Sequence, residues 1–269
     1  MSLPEPQQTG NRLKRVFYPV LVITGYSLYL GGILLFISAL PLLFVTLYPL
    51  GKFKRVVTSA SREYINFSFY KILPALGSYT IHGGEKLLSL RKMKGCIVVG
   101  NHQSVLDGPF ILSKTMGSLY PVVKSNHAKS FLFRLASTVV DIVTTSSTSH
   151  ENLRYSLEKS NRILSQEKRN LLIYPENTRS STGRLLKFRL FAFKVAVESG
   201  APVIPVVTRF NKPFLNKNLS SWAPPEKIAV SISVLDPVTP QEDESPKELA
   251  DRVHSLMKRE LKALGGEDQ

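Results

Sequence analysis

The sequence predicts an α/β fold: a mixed, largely parallel sheet flanked by helices, with an N-terminal apolar helical hairpin for membrane attachment. Two observations lead to this prediction. Short runs rich in β-branched residues alternate with longer amphipathic stretches, which is typical of a sheet with helices on its faces. A long uncharged segment precedes them. The 269 residues suffice for one sizeable domain with a buried core.

The uncharged segment runs from Val16 to Gly51 and has basic residues on both sides. As one straight helix, its 36 residues would span about 54 Å, well beyond a hydrocarbon core of about 30 Å. Gly31-Gly32 and Pro41 offer places to bend. Basic flanks favour the same, cytoplasmic face for both ends. We therefore expect two short helices dipping into the membrane. One tilted spanning helix and a buried core hairpin are the alternatives.

The domain organisation follows from this segment. We expect a membrane-associated helical segment over residues 1–62 and an α/β domain, the body of the protein, over residues 63–269. The cytoplasmic face would be that of the inner membrane in a bacterium and of the endoplasmic reticulum in a eukaryote.

Hydrophobic patterning predicts the elements of the body in chain order. The strands are Ser78–His82, Cys96–Gly100, Tyr120–Lys124, Val139–Thr144, Asn170–Tyr174, Val203–Val207 and Lys227–Leu235. The helices are Asp107–Met116, Lys129–Thr138, Glu151–Gln166, Phe188–Ser199 and Pro246–Leu264. Ser245 and Glu248 form a capping box ahead of the last helix, and Thr148 or Ser149 can cap the third.

Most of the excess positive charge lies in the body. The net charge is +15, yet residues 1–51 carry three basic and one acidic side chain, and residues 241–269 carry five and eight. A basic body needs an anionic partner, such as nucleic acid, anionic lipid or a phosphorylated substrate. No stacking motif interleaves aromatic and basic residues, so we expect no nucleic-acid partner.

A histidine and a carboxylate follow the second predicted strand. Asn101 and His102 stand at its carboxyl end, where ligands bind in open α/β sheets. Asp107 starts the next helix and can accept a hydrogen bond from one nitrogen of His102, which leaves the other nitrogen to accept a proton from a hydroxyl. In the alternative, Asp107 only caps the helix and His102 bonds a carbonyl. Ser104 lacks a Gly-x-Ser-x-Gly elbow, so we expect no covalent serine catalysis.

A second polar segment, Tyr174–Ser180, follows another predicted strand and contains Arg179. A base with an orienting acid, together with a group that binds anions, can activate a hydroxyl on a phosphorylated substrate. The two segments together therefore predict an active site at the carboxyl edge of the sheet.

These motifs resemble those of the glycerolipid acyltransferase family, typified by the 1-acylglycerol-3-phosphate acyltransferases. Asn101-His102-x-x-x-x-Asp107 resembles the first motif of that family, Tyr174–Ser180 the third, and Ala201–Val206 the fourth. Their order and spacing agree over roughly residues 75–240. The resemblance implies that His102 is the general base and that Asp107 orients it. The hydroxyl would attack an acyl thioester directly, without an acyl-enzyme.

The resemblance also implies which residues bind substrate: Asn101, Lys124, Glu176, Asn177, Thr178 and Arg179. Arg179 would pair with the glycerol phosphate, because its planar guanidinium meets phosphate oxygens in bidentate fashion. An ordinary surface arginine is the alternative for Arg179. A solvated strand end is an equal alternative for Lys124.

Two positions depart from the family pattern. Asn177 replaces a glycine, and asparagine is the side chain that best tolerates a positive φ after glycine. Phe191 also replaces a glycine, and it either narrows the acceptor pocket or packs in the core. Both changes leave the identity of the acceptor open.

The implied reaction moves a fatty acyl group from acyl-CoA or acyl-carrier protein to the sn-2 hydroxyl of 1-acyl-glycerol-3-phosphate, giving phosphatidate. Another lysophospholipid or a lyso-aminolipid is an alternative acceptor, and a non-catalytic membrane-binding protein is the alternative class. We expect no cofactor beyond the acyl cosubstrate. Histidines outside the motif do not stand at ligand spacing, so we expect no metal site. The single Cys96 excludes an intrachain disulfide.

Overall fold

The computed structural model describes residues 9–77, 79–115, 117–125, 142–145, 150–217 and 228–265. The strands are β1 Tyr79–His82, β2 Ile97–Gly100, β3 Leu119–Lys124, β4 Val143–Thr145, β5 Asn170–Ile173, β6 Val203–Phe210 and β7 Ile228–Val234. The helices are α1 Thr9–Leu47, α2 Phe53–Phe67, α3 Leu73–Ala75, α4 Asp107–Thr115, α5 His150–Ser165, α6 Phe191–Ser199 and α7 Pro246–Ala263. A π-helical turn, Ser68–Ile72, joins α2 to α3, and a 3₁₀ helix spans Gly84–Arg91.

The strands form one sheet in the order β1-β7-β6-β2-β5-β3-β4. Neighbours are parallel except β6 and β7, which are antiparallel. The mixed, largely parallel sheet expected from the sequence is therefore confirmed. Each expected strand overlaps an observed one, although residues 139–141 of the fourth lie outside the described residues.

Helices cover both faces of this sheet. Alternate residues of a strand point to opposite faces, so β2 contributes Ile97 and Val99 to one hydrophobic core and Val98 to the other. The first core lies under α5, α6 and α7, and the second lies under α4, the 3₁₀ helix and the π-helical turn. β2 is thereby buried on both faces and holds a fixed position at the centre of the molecule.

The helix ends agree with the sequence where a local signal is strong. The Ser245–Glu248 capping box is present, with Ser245 accepting from the Glu248 main chain and Glu248 from that of Ser245. The helix expected from Phe188 begins instead at Phe191, because the Arg189 N–H donates to the Pro175 carbonyl at 2.8 Å and holds the preceding residues in the loop. The expected helix Lys129–Thr138 and the cap at Thr148 or Ser149 lie outside the described residues.

The hairpin expected within the N-terminal apolar segment is wrong, because α1 continues unbroken through Gly31, Gly32 and Pro41. The chain reverses only after α1, where Gly51 has a φ of +63°. The basic flanks of the apolar segment consequently lie at opposite ends of a single helix. A single helix does not require both flanks to lie on the same membrane face.

The antiparallel partner of α1 is the basic, amphipathic α2. The Tyr64 hydroxyl donates to the Tyr29 carbonyl at 2.7 Å, and the two rings stack with centroids 6.0 Å apart. Gly32 makes this approach possible, since a β-carbon there would lie 2.6 Å from Cζ of Tyr64. Gly32 therefore serves as a contact surface between helices, where the sequence had indicated a bend.

The segment Pro19–Leu47 of α1 is long and apolar enough to cross a membrane, judged by length and composition. Several of its large apolar side chains are exposed, among them Leu34, Leu35, Leu42 and Val45. The expected boundary between residues 62 and 63 falls within α2 and stays a prediction.

Candidate active site

A histidine and a buried aspartate form a hydrogen-bonded pair at the carboxyl end of β2. Nδ1 of His102 lies 3.0 Å from Oδ2 of Asp107. The His102 side chain is 25% exposed and that of Asp107 is fully buried. Because a carboxylate accepts but does not donate, this contact places the imidazole proton on Nδ1 and leaves Nε2 as an acceptor.

The same carboxylate oxygen fixes the turn between the two residues. Oδ2 of Asp107 accepts from the main-chain N–H of Gln103 at 2.7 Å and of Ser104 at 2.8 Å. These bonds satisfy N–H groups ahead of α4, so Asp107 shapes the loop as well as orienting the histidine. The pairing of Asp107 with His102 expected from the sequence is therefore observed, and the hydrogen bonds of this carboxylate go to residues before α4 and not to the N–H groups of the helix.

Glu176 holds the base in place from the neighbouring strand end. Its Oε1 accepts from the main-chain N–H of His102 at 2.9 Å, and its Oε2 accepts from that of Leu186 at 3.2 Å. The side chain is buried, and this burial, opposed by the two hydrogen bonds and reinforced by nearby Asp107, raises its pKa to about 8. Glu176 thus joins two loops beneath the site, and its expected contact with substrate stays a prediction.

Asn101 also lies beneath the site. Its amide donates to the Thr208 carbonyl at 2.9 Å and accepts from the Thr208 N–H at 2.7 Å, so both ends of the amide are paired with β6. The residue is 1% exposed. Asn101 therefore fixes the end of β2 against β6, and substrate binding by this amide stays a prediction.

The imidazole rests on an aromatic ring. The rings of His102 and Tyr174 stack with centroids 4.5 Å apart and an angle of 28°. The Tyr174 hydroxyl is buried and has no hydrogen-bond partner among the described residues, and burial raises the pKa of this phenol well above its usual range. Tyr174 thus supports His102 through its ring face and takes no part as a proton donor in this structure.

A cleft of about 640 Å³ opens over His102. Three cations line it, Lys124, Arg179 and Lys217, together with Asn177 and Thr178. Its other walls are mostly apolar and consist of Val105, Pro109, Leu112, Pro121, Val122, Val123, Ile142 and Leu172. No carboxylate is among the described residues that line this cleft. The cleft can therefore accept a molecule with an anionic part and an apolar part beside the base.

Arg179 reaches the cleft from the loop after β5, and Lys124 reaches it from the end of β3. Nη1 of Arg179 donates to the carbonyls of Leu215 at 3.2 Å and of Asn216 at 2.9 Å. Nζ of Lys124 donates to the carbonyl of Asn177 at 3.4 Å. A guanidinium has five N–H donors, so the two bonds through Nη1 orient Arg179 without using its full donor capacity.

The two departures from the family pattern have different structural outcomes. Asn177 adopts a φ of +65°, which confirms that the turn keeps left-handed geometry with asparagine in place of glycine. Phe191 packs, partly buried, against the core under α6 and does not line the cleft. Of the two alternatives for Phe191, packing in the core is the one observed.

Lys217 and the stacking of Tyr174 were not expected from the sequence. Tyr174 stands within a recognised motif, yet only the fold shows that its ring lies against His102. Lys217 belongs to no motif, and it reaches the cleft because the loop after β6 returns to Arg179 through the Leu215 and Asn216 carbonyls. No local sequence signal marks such a residue.

Comparison with known proteins shows what the part of the chain that contains this site is similar to. The model of the family described as Acyltransferase matches residues 79–209. The chain is 30% identical over 181 residues to 1-acyl-sn-glycerol-3-phosphate acyltransferase alpha of Mus musculus, covering 64% of this chain and 62% of that protein. It is 24% identical over 180 residues to 1-acyl-sn-glycerol-3-phosphate acyltransferase of Haemophilus influenzae, covering 66% of this chain and 72% of that protein. The chain thus spans less than two thirds of the mouse relative.

A solved structure has the same fold. The crystal structure of the 1-acyl-sn-glycerophosphate (LPA) acyltransferase from Thermotoga maritima aligns with a TM-score of 0.61 and covers 96% of this chain and 99% of that one. The two sequences are 20% identical, so this likeness concerns the fold alone.

Proposed function

We propose that this chain, whose residues 79–209 match the family described as Acyltransferase, transfers a fatty acyl group from a thioester to the sn-2 hydroxyl of 1-acyl-glycerol-3-phosphate, giving phosphatidate. The observation that carries the proposal is the His102–Asp107 pair at the floor of a cleft that contains both cations and apolar walls. The names of the relatives from Mus musculus and Haemophilus influenzae support the choice of acceptor.

His102 acts as the general base. Nε2 takes the proton of the acceptor hydroxyl while the oxygen attacks the thioester carbonyl, and the imidazolium formed is stabilised by Asp107. The carbon–sulfur bond then breaks, and the leaving thiolate receives the proton from Nε2, which returns His102 to its starting state. The products are the new ester and a free thiol. Ser104 takes no part, because it is fully buried and its hydroxyl accepts from the Leu106 N–H.

The cations of the cleft bind the phosphate of the acceptor. Arg179 is oriented by two main-chain carbonyls, and Lys124 is tied to the main chain of Asn177, so both charges lie at defined positions beside His102. Lys217 adds a third charge. A phosphate held there places a hydroxyl of the same glycerol near the base, and this proximity lowers the entropic part of the activation free energy.

The apolar walls of the cleft bind the acyl chains of the substrates. Leu112 and Leu172 belong to or pack against the core under α4, and Val105 at the mouth is 46% exposed. An exposed apolar mouth suits substrates that come from a bilayer, and α1 supplies the attachment through its exposed apolar residues. The donor in this proposal is acyl-CoA or acyl-carrier protein, with no further cofactor, and the cytoplasmic face stays the expected side for the body.

The test is an acylation assay with purified protein, radiolabelled acyl donors and a panel of lysolipids that includes lyso-aminolipids. We expect the wild type to acylate lysophosphatidate fastest and His102→Ala to lose activity by at least about 10³-fold. Acylation that survives in His102→Ala would contradict the assignment of the base. Failure of the wild type with every pair of donor and acceptor would favour a non-catalytic protein.

Arg179→Ala separates the phosphate role from the base role. We expect a Michaelis constant for lysophosphatidate raised by about tenfold or more, with an unchanged constant for the acyl donor. A change confined to the donor would count against phosphate binding by Arg179. Arg154→Ala is the matched control, because Arg154 is highly exposed on α5 and pairs with Glu158 away from the cleft.

A further inference from the structure

A second concavity lies on the other face of the sheet from the His102 cleft. It has a volume of about 940 Å³ and is walled by the carboxyl half of α7, the loop around Gly183 and the end of β6. The helix α7 packs on the core beneath α5 and α6, whereas the His102 cleft is walled by α4. Both concavities open near the carboxyl end of β6 and β2. We call this second concavity the α7 cavity.

The α7 cavity is strongly cationic. Its basic lining residues are Arg184, Arg209, Arg252, Lys258, Arg259 and Lys262. No aspartate or glutamate is among the described residues that line it. The charge of Arg252 is already paired with Glu244, which lies 2.7 Å away and is not among the lining residues. Converging like charges raise the free energy of the folded protein unless an anion binds between them.

Arg209 gives the cavity a fixed cation at its base. Its guanidinium donates to the carbonyl of Phe210 and, at 3.1 Å, to that of Gly265, so it ties the end of β6 to the end of α7. Its Nε is buried and has no hydrogen-bond partner among the described residues. This donor is held in place and unsatisfied, unlike those of solvated surface arginines.

The spacing of the α7 residues shows that the basic lining is one helix face. Arg252, Ser255, Arg259 and Lys262 are separated by three, four and three positions, which places them along one side of the helix. Only Lys262 lies in the last turn, where a cation stabilises a helix by opposing its dipole. Helix stabilisation therefore does not account for the remaining cations of this face.

The size and the other walls of the cavity indicate a ligand larger than one phosphate. Hydroxyl donors are present at Thr182, Thr239 and Ser255, and apolar surface is present at Leu185, Pro237 and Val238. Ligand sites of drug-sized molecules have volumes of about 300–1,000 Å³. A nucleotide with several phosphates combines the anionic groups and the flat apolar ring that these walls can accommodate, and arginine both pairs with phosphate and stacks on rings.

A narrow crease leads from this cavity toward the base. It shares Thr182, Gly183 and Arg209 with the α7 cavity and is also lined by Gln103, the residue that follows His102. The Gln103 amide donates to the Gly183 carbonyl at 2.6 Å. The two concavities are therefore separated by one loop, Ser180–Gly183, which is hydrogen-bonded to Gln103 next to the histidine.

We infer that the α7 cavity binds the phosphorylated nucleotide of an acyl-CoA donor, whose pantetheine arm crosses the Ser180–Gly183 loop to bring the thioester to His102. This inference rests on the proposed function for the identity of the donor. The cations of α7 and Arg184 bind the diphosphate and the 3′-phosphate of this nucleotide. Arg209 forms the floor of the site.

The test measures binding of CoA to the full-length protein in detergent by titration calorimetry, independently of catalysis. We expect the double variant Arg184→Ala/Arg259→Ala to bind CoA at least about tenfold more weakly than the wild type. Dephospho-CoA, which lacks the 3′-phosphate, should bind the wild type more weakly than CoA. Arg154→Ala is the matched control and should bind CoA as the wild type does. Equal affinity of the double variant and the wild type would overturn the inference.

A kinetic measurement on the same variants distinguishes failure of the nucleotide site from failure of the proposed function. The double variant should raise the Michaelis constant for acyl-CoA about tenfold and leave that for lysophosphatidate unchanged. Binding of CoA without any acyl transfer would refute the proposed function and leave the nucleotide site standing. Transfer from acyl-carrier protein without binding of CoA would refute the nucleotide site alone. A double variant that loses binding to phosphatidylglycerol vesicles but not to CoA would assign the cations to lipid instead.

Discussion

Oδ2 of Asp107 contacts Nδ1 of His102 at 3.0 Å and at the same time receives the main-chain N–H groups of Gln103 and Ser104. One oxygen atom therefore sets both the tautomer of the base and the shape of the loop that carries it. The orientation of the imidazole depends on the charge and the position of this single atom.

Asp107→Asn tests this dependence. An amide in place of the carboxylate can keep the packing, but it cannot hold both main-chain N–H groups and the protonated Nδ1 with equal strength. We expect the rate of acyl transfer to fall by about 10³-fold or more. The measurement is initial rate, with circular dichroism as the check on folding. A folded Asp107→Asn protein with activity within tenfold of the wild type would show that Asp107 acts only as a helix start.

Glu176 predicts how stability changes with pH. Its pKa is about 8 in the folded protein and close to 4.5 when exposed, so the folded state retains a proton that the unfolded state loses between these values. The contribution of this protonated carboxyl group to the free energy of unfolding is complete below about pH 4.5 and is lost as the pH rises to about 8. The contribution of this group to the free energy of unfolding therefore falls by about 1.4 kcal/mol for each pH unit in this interval.

The measurement is urea unfolding at several pH values between 5 and 8 for the wild type and Glu176→Gln. We expect the difference in unfolding free energy between the two proteins to change with pH in this direction. Glu242→Gln, at an exposed turn position, is the matched control and should leave the pH profile of the wild type unchanged. Parallel profiles for the wild type and Glu176→Gln would contradict the raised pKa.

Asn177 predicts a difference between two small substitutions. At a φ of +65°, alanine is strained by about 1–2 kcal/mol, whereas glycine is not. We expect Asn177→Ala to lower the free energy of unfolding by about 1 kcal/mol and Asn177→Gly to leave it near that of the wild type. Chemical denaturation of the two variants measures this directly. Equal stability of the alanine and glycine variants would show that the turn relaxes out of left-handed geometry.

Two adjacent glycines of α1 predict opposite effects of the same substitution. A β-carbon at Gly32 would collide with the Tyr64 ring, whereas one at Gly31 would meet no atom within 4 Å. We expect Gly32→Ala to break the Tyr64–Tyr29 hydrogen bond and to destabilise the packing of α1 on α2 by about 1–3 kcal/mol. Gly31→Ala should be neutral or stabilising by up to about 1 kcal/mol, because alanine favours helix.

The thermal midpoint of the detergent-solubilised protein distinguishes the two variants. Gly31→Ala serves as the matched control for any general effect on α1. If both variants had the same midpoint, α2 would not be held against α1 through the Gly32 surface.

The sequence was sufficient for features that depend on near neighbours. The His102–Asp107 pair, the capping box at Ser245 and the left-handed turn at Asn177 each involve residues within five positions of one another, and each was predicted and is observed. The strands were predicted because buried segments of a parallel sheet are nearly continuous apolar runs.

Features that depend on distant contacts could not be predicted. Asn101 pairs with Thr208, 107 positions later, and Glu176 joins His102 to Leu186 only because β2 and β5 are neighbours. Glycine in an apolar helix is ambiguous in the same way. The sequence cannot show whether Gly32 permits a bend or a close contact until the position of Tyr64 is known.

The carboxyl group of Glu176 has a mechanical consequence. One oxygen accepts a hydrogen bond from the main chain of His102 and the other accepts one from the main chain of Leu186. The base and the loop that ends at Leu186 therefore cannot separate without breaking one of these hydrogen bonds. Under the proposals above, an anion bound at Arg179 or Arg184 and the orientation of the imidazole are linked through this one buried carboxyl group.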